Sequence, residues 1–318
     1  MPTSIAQGAR IRTNTPAENA YNALQAASNN IALRQLRLST GKRINTAADD
    51  VAGYITSRAL QARNGALKKA LLAAGEAMNV TAIAQDALDN ISNLLTQIKD
   101  AASQASTGAL GTAEKVALAK ASYRLAQQIQ FVVDSTVFGG KQLLWGDYSG
   151  TWAIGFYADN SILSIGVELT TGNTDFNIAS NNFNLNATSA AVSPAHFTTD
   201  FAGVSGLSLQ SLNDVSETNL GIFATSQIAT TLTSLATAID NVNKVASYLG
   251  AIQNRISSHE DLLKSQITNY NAAISRIEDA DVAQEQLELI KQQFLLQASL
   301  ISLTQANQQP QAFLQLFR

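Results

Sequence analysis

IATTLTSLATAIDNVNKVASYLGAIQNRISSHEDLLKSQITNYNAAISRI, residues 228–277, places apolar side chains at alternating steps of four and three: Ile228, Leu232, Leu235, Ile239, Val242, Ala246, Leu249, Ile256, Leu263, Ile267, Tyr270, Ile274 and Ile277. That spacing is a heptad seam. Gln253 and Glu260 are its two polar positions, and no proline interrupts it. The stretch predicts one helix of about 50 residues, roughly 75 Å long at 1.5 Å per residue. A stripe that long needs a partner of similar length. The first half of the chain offers one in Ala84, Leu88, Ile91, Leu95 and Ile98. The two ends are therefore expected to fold back on each other, with the middle as an insertion. Leu88, Ile91, Leu95 and Ile98 on one side are expected to pack the rod against Leu232, Leu235, Ile239, Leu249, Ile256 and Leu263 on the other.

Working outward, residues 1–10 read as a lead-in, and Pro16 starts an amphipathic helix of about 20 residues through Tyr21, Leu24, Ile31, Leu36 and Leu38. Thr40-Gly41 ends it. The segment 42–50 reads as a loop whose Asp49 and Asp50 cap a second, Ala-rich helix beginning near Val51. Gly108 and Gly111 break that helix, and Thr112 is expected to cap a third through Val116, Tyr123, Ile129 and Val133. From Trp145 to about Thr225 the chain turns rich in Gly, Asn, Ser and Thr, with alternating runs at 152–157 and 162–169 that read as strands. After the rod comes a charge cluster, 275–281, and a last amphipathic helix through Leu287, Ile290, Phe294, Ala298 and Ile301, expected to end at Asn307. The fold class expected is mainly α: long antiparallel, coiled-coil-like rods from both termini, with a small β-rich central insertion.

Composition narrows the function. The 318 residues suffice for two or three domains. Charged residues make up only 14%, against about 25% in an average soluble domain. Much of the surface must then be polar without charge, which suits burial against copies of the same chain. A net charge of -3 offers no basic face for phosphates, so no nucleic-acid partner is expected. There is no cysteine, which rules out disulfides and thiolate metal sites. The N-terminal stretch lacks the apolar core of a Sec signal, and no apolar run is long enough to cross a membrane, so no membrane insertion is expected.

Few residues invite a catalytic reading. Asp49-Asp50 could be a carboxylate pair, but no His or second polar cluster accompanies it, and a helix cap explains it better. His196 and His259 lie in different regions without metal-ligand spacing; His196 reads as a loop residue and His259 as a flank of the seam. Trp145, Trp152, Phe156 and Tyr157 could form a sugar platform, but a small β core needs them for packing. Two of three Asn-x-Ser/Thr sequons, at Asn79 and Asn90, fall on rod helices, and the third is at Asn186. Gly139-Gly140 is a turn, with no phosphate-loop ending after it. No catalytic, cofactor or metal site is expected.

Four blocks, in order, resemble bacterial flagellin: Ile11 to Tyr21 (IRTNTPAENAY), Leu38 to Asn45 (LSTGKRIN) with Asp49 to Gly53 (DDVAG), Ser275 to Asp281 (SRIEDAD), and Gln305 to Gln308 (QANQ) with Pro310. The resemblance covers about the first 145 and last 95 residues. It implies a subunit of the helical flagellar filament for swimming, exported by the flagellar type III apparatus with a chaperone on its C-terminal helix, and located outside the cell. It further implies contacts with filament cap and hook-junction proteins. Residues 1–45 and 278–318 would form the inner tube, 46–145 and 226–277 the rods, and 146–225 the outer region. The polymerisation interface would then draw on Tyr21, Leu24, Ile31, Leu36 and Arg43 with Leu287, Ile290, Phe294, Ile301 and Leu314. About ten residues precede the usual start of the first block, and Glu18 stands where an apolar residue is common. The positions matching the family's innate-receptor epitope are Gln97, Ala101 and Ala121, which depart from the Arg, Leu and Glu of that pattern, so that recognition is not carried over. Alternatives with similar frames are a hook-filament junction protein and a flagellin-framed secreted adhesin or enzyme.

Overall fold

The computed structural model describes residues 13–153, 164–170 and 212–316, with side chains through 310 except at 147, 164–166, 168 and 170. The chain divides into two compact units, 1–64 with 268–318, and 65–267.

In the first unit, α1 spans Thr15–Thr40. Its N-cap is Asn14, whose Oδ1 accepts from the Ala17 amide at 3.2 Å, with Pro16 and Glu18 in the first turn. It ends at Gly41, whose φ of 69° few other residues adopt. Helix α2, Val51–Ala105, begins here. The expected double cap divides its labour. Asp50 caps α2, accepting from the Gly53 amide at 2.9 Å, whereas Asp49 closes the preceding loop, its Oδ2 accepting from the amides of Asn45 and Thr46. Those two backbone bonds hold the Asp49 carboxyl below its ordinary pKa. A Cβ on Gly53 would come within 2.5 Å of Asp50 Oδ2 and 2.7 Å of Ile44 Cδ1, so any larger residue would force the capping carboxylate and the buried Ile44 side chain to shift.

The last turns of helix α4, Ile228–Glu278, run antiparallel to the start of α2: Gln61 meets Glu278, and Asn64 meets Asn271. Helix α5, Val282–Leu316, then packs antiparallel along α1, since Asn14 meets Ala306 at one end and Arg34 and Arg37 meet Glu285 at the other. The expected end at Asn307 is overrun. Pro310 lies inside the helix, and its missing N–H leaves the Ala306 carbonyl without its helical donor. The Asn14 amide supplies a replacement at 2.9 Å, so the helix continues.

In the second unit, α2 and α4 pack with α3, Thr112–Ser135, around one buried cluster. Helix α3 is capped at Gly111, without a side-chain bond, so Thr112 is its first residue rather than its cap. Leu88, Ile91, Leu95 and Ile98 are fully buried in the cluster, as are Leu235, Leu249 and Ile256; Leu232 and Ile239 are half-buried against it, and Leu263 is buried lower on α4. The seam on α4 differs from the expected one in half of its positions. Thr231, Ala238, Val245 and Ile252 are buried, and Leu232, Ile239, Ala246 and Gln253 flank them half-exposed. The line therefore passes through Ile252 and His259, and Gln253 and Glu260 sit beside it. Both phases satisfy a heptad rule, and α4 carries apolar residues at both, since the buried cluster it enters is shared with α2 and α3 rather than with one partner. Buried Thr231 is satisfied by the Ile222 carbonyl, in the 3-10 turn Gly221–Phe223.

The insertion begins with a hairpin, β1 (Val137–Phe138) and β2 (Lys141–Gln142), turned at Gly139-Gly140. Strand β3, Asp147–Ala153, then pairs antiparallel with β4, Ser164–Thr170, from Asp147 opposite Thr170 to Ala153 opposite Ser164. Tyr148, Val167 and Leu169 from this pair join the core cluster. Phe156, Tyr157, Asn186 and His196 lie outside the described residues, as do Ile11 and Arg12 of the first block.

Candidate assembly surface

Helix α5 has two unequal faces. Glu285, Leu289, Gln292, Leu296, Ser299, Leu303 and Ala306 share the face that is buried or half-buried along α1. The opposite face carries Leu287, Ile290, Phe294, Ala298 and Ile301, flanked by Leu295. Leu287 is 65% exposed, Phe294 66% and Ile301 69%. The helix thus spends its weaker, polar-interrupted face inside its own chain and leaves its richer face bare. The bare face is not smooth: Leu287, Ile290, Lys291, Phe294, Leu295 and Ala298 line a hollow of about 470 Å³. A contiguous apolar stripe of this kind marks an interaction site.

The partner helix contributes less. On α1, Ala20 and Ala27 are buried and Leu24 and Ile31 half-buried, at the helical spacing that continues to Arg34 at the Glu285 contact. Leu24 and Ile31 therefore belong to the intramolecular stripe of α1, while Tyr21 and Leu36 are exposed. Arg43 donates to the Ile277 carbonyl at 2.7 Å, within its own chain. Leu314 lies in the helix, but its side chain is outside the described residues. Val282, Leu295 and Leu300, also exposed on α5, were not singled out by sequence. Their signal was present: α5 carries apolar residues around much of its circumference, and a helix of that kind must be covered on more than one side.

Apart from Glu18 in the first turn of α1, charge in this pair gathers at one end. Between Asn19 and Leu33 on α1, and from Gln292 to Leu316 on α5, there is no charged residue. The charges gather at the turn end. Glu285, almost buried, receives Arg34 at 2.8 Å and Arg37 at 3.3 Å. Glu278, the last residue of α4, receives Lys42 Nζ at 2.7 Å on one carboxylate oxygen and the Gln61 amide on the other. Its carbonyl accepts the Arg43 amide at 2.6 Å, and Ala280 donates to the Gly41 carbonyl at 2.9 Å. The loop after α1 and the corner between α4 and α5 are thereby tied into one joint. Two of the four sequence blocks, 38–53 and 275–281, meet here, and the other two meet at Asn14 and Ala306.

No group of three His, Asp or Glu able to hold a metal occurs among the described residues. No described helix is long and apolar enough to cross a membrane.

Residues 11–149 match the bacterial flagellin N-terminal helical region, and residues 232–317 match the bacterial flagellin C-terminal helical region. The chain is 31% identical over 317 residues to a flagellin of Bacillus subtilis, covering 97% of this chain and 100% of that one. It is 28% identical over 308 residues to a flagellin of Halalkalibacterium halodurans (97% and 99%), and 26% identical over 367 residues to polar flagellin F of Vibrio parahaemolyticus (94% and 97%).

Proposed function

This chain belongs to the bacterial flagellin family, and we propose that it works as the structural subunit of the flagellar filament through the bare face of α5. The observation that carries this reading is the inversion of α5, whose more apolar side faces away from its own chain. Helical polymerisation needs head-to-tail contacts that never close into a ring. The α1–α5 pair is suited to them, since its uncharged length lets one copy slide against the next without unpaired charges to bury.

The same features make the pair marginal alone. Each helix buries one narrow stripe, and stability comes chiefly from tertiary packing. Neighbouring copies supply the missing cover, and their interfaces offset the ordering cost of the ends. In this reading 1–45 and 278–318 line the inner tube, 46–145 and 226–277 form the rods, and 146–225 faces outward. A chain whose ends order late can be threaded unfolded through the flagellar type III export apparatus, with a chaperone covering the bare face of α5 until release outside the cell. Cap and hook-junction proteins meet the same ends. The role is structural, with no reaction assigned.

The test is electron microscopy of purified subunit added to short filament seeds, beside a version lacking 299–318. Long filaments from the full chain and none from the truncation are expected. Seeds that are capped but never elongate would assign the chain to the hook-filament junction instead, and failure to associate with seeds would overturn the assembly reading.

A further inference from the structure

At the base of the insertion, Lys141, Gln142, Trp145, Tyr148 and Ser149 line a hollow of about 290 Å³ that the assembly reading does not use. Its walls are fixed from behind. Leu143 and Leu144, fully buried, anchor the segment between β2 and β3, and the Leu143 amide donates to the Thr136 carbonyl at 3.0 Å. The Trp145 indole N–H donates to Asp134 Oδ1 at 3.0 Å, and the same oxygen accepts from Gln130 at 2.9 Å, so the ring is held in one orientation by a carboxylate that is itself held. Tyr148 is buried, and its hydroxyl lies where a Cβ on Gly150 would come within 2.8 Å. Burial also pushes the Tyr148 phenol above its ordinary pKa.

The residues lining the hollow combine a tethered aromatic ring, an exposed ammonium, a carboxamide and two hydroxyls, with no acid among the five. An apolar ring face with a few convergent polar groups is how proteins take small polar ligands of ring shape. The aromatic face suits the C–H side of a pyranose, the amide and hydroxyls suit its hydroxyl groups, and the ammonium suits an anionic substituent. The volume admits one ring and little more. We propose that this hollow binds a single pyranose unit carrying a carboxylate, a uronic-acid type of residue. One such site per subunit, weak by itself, would be repeated along a polymer, and repetition raises avidity without new contacts. Binding itself does not depend on the assembly reading, because the hollow lies within one unit of one chain.

The test is tryptophan fluorescence of the full-length monomer titrated with glucuronate, glucose and acetate, together with Lys141→Gln and Trp145→Phe variants checked for unchanged helical content. A saturable change with glucuronate in about the millimolar range is expected. Lys141→Gln should weaken it about tenfold, to the level of glucose, and acetate should give no saturable change. No saturation by glucuronate would overturn the proposal, and so would equal responses to acetate and glucuronate, or undiminished binding by Lys141→Gln. Seeded assembly by the Lys141→Gln variant should proceed as in the parent, which separates this site from the polymerising surface.

Discussion

The Asn14 side-chain amide donates to the Ala306 carbonyl at 2.9 Å, and Ala306 is the residue whose carbonyl Pro310, four positions on, cannot reach. One side chain therefore does two jobs at opposite ends of the sequence: its oxygen caps α1, and its nitrogen repairs α5. Replacing Asn14 by Asp should keep the cap but set a carboxylate against a carbonyl. The cost should be about 1–3 kcal/mol, the penalty of an unmet buried acceptor plus repulsion. In a Pro310→Ala background, which restores the helical N–H, most of that cost should vanish. The filament melting temperatures of the two single variants and the double variant measure this coupling; strictly additive effects would disprove it.

The joint at Glu278 should show the asymmetry of a buried pair. Lys42→Met leaves an almost buried carboxylate with only Gln61, and about 1–3 kcal/mol should be lost. The double variant Lys42→Met with Glu278→Leu removes the stranded charge as well. It should be more stable than the sum of the two single effects allows, as read from urea midpoints of assembled material.

Gly53→Ala should loosen the start of α2, because the new methyl meets both the capping Asp50 carboxylate and the buried Ile44 side chain. The loss should resemble that of the cap itself, about 1 kcal/mol. Faster amide exchange at Gly53 and Tyr54 would report it.

Asp49 sets a pH limit on the loop it closes. Its folded pKa lies below the ordinary 3.8 of an aspartate, so its contribution is complete above that value and is lost as pH falls through the folded pKa. Protection of the Asn45 and Thr46 amides should therefore stay flat from neutral pH down to that region and then decline. A decline centred above pH 3.8 would contradict the assignment.

The α4 seam discriminates two readings of one sequence. Ile252 is buried and Gln253 half-exposed. Ile252→Ala should cost about 2–5 kcal/mol by leaving a cavity, whereas Gln253→Ala should cost less than about 1 kcal/mol. Thermal unfolding of the monomer separates the two.

These last residues also show how far the sequence could be read. The long rods were legible because heptad spacing persists over 50 residues, and one face of each such helix has to be buried. The phase of the seam was not, since α4 is apolar at both Leu232 and Ala238, and only the neighbours on either side decide which is central. The end of α5 was misplaced because proline normally stops a helix, and the donor that rescues it lies 292 residues away. The apolar stripe of α5 was legible, but not the direction it faces. Leu287, Ile290, Phe294 and Ile301 stood out as an amphipathic stripe, but an amphipathic stripe normally faces inward. That this one faces outward depends on α1 pairing with the opposite side of α5, through Glu285 and Leu296, which no local pattern announces.

The central claim is that the bare face of α5 is covered by other copies. Hydroxyl-radical footprinting of Leu287, Ile290 and Phe294, compared between monomer and assembled filament, tests it most directly. The account predicts that all three are modified readily in the monomer and protected in the filament, while Phe131, 71% exposed on α3, serves as a reference outside the stripe. Equal modification of Phe294 in both states would contradict it.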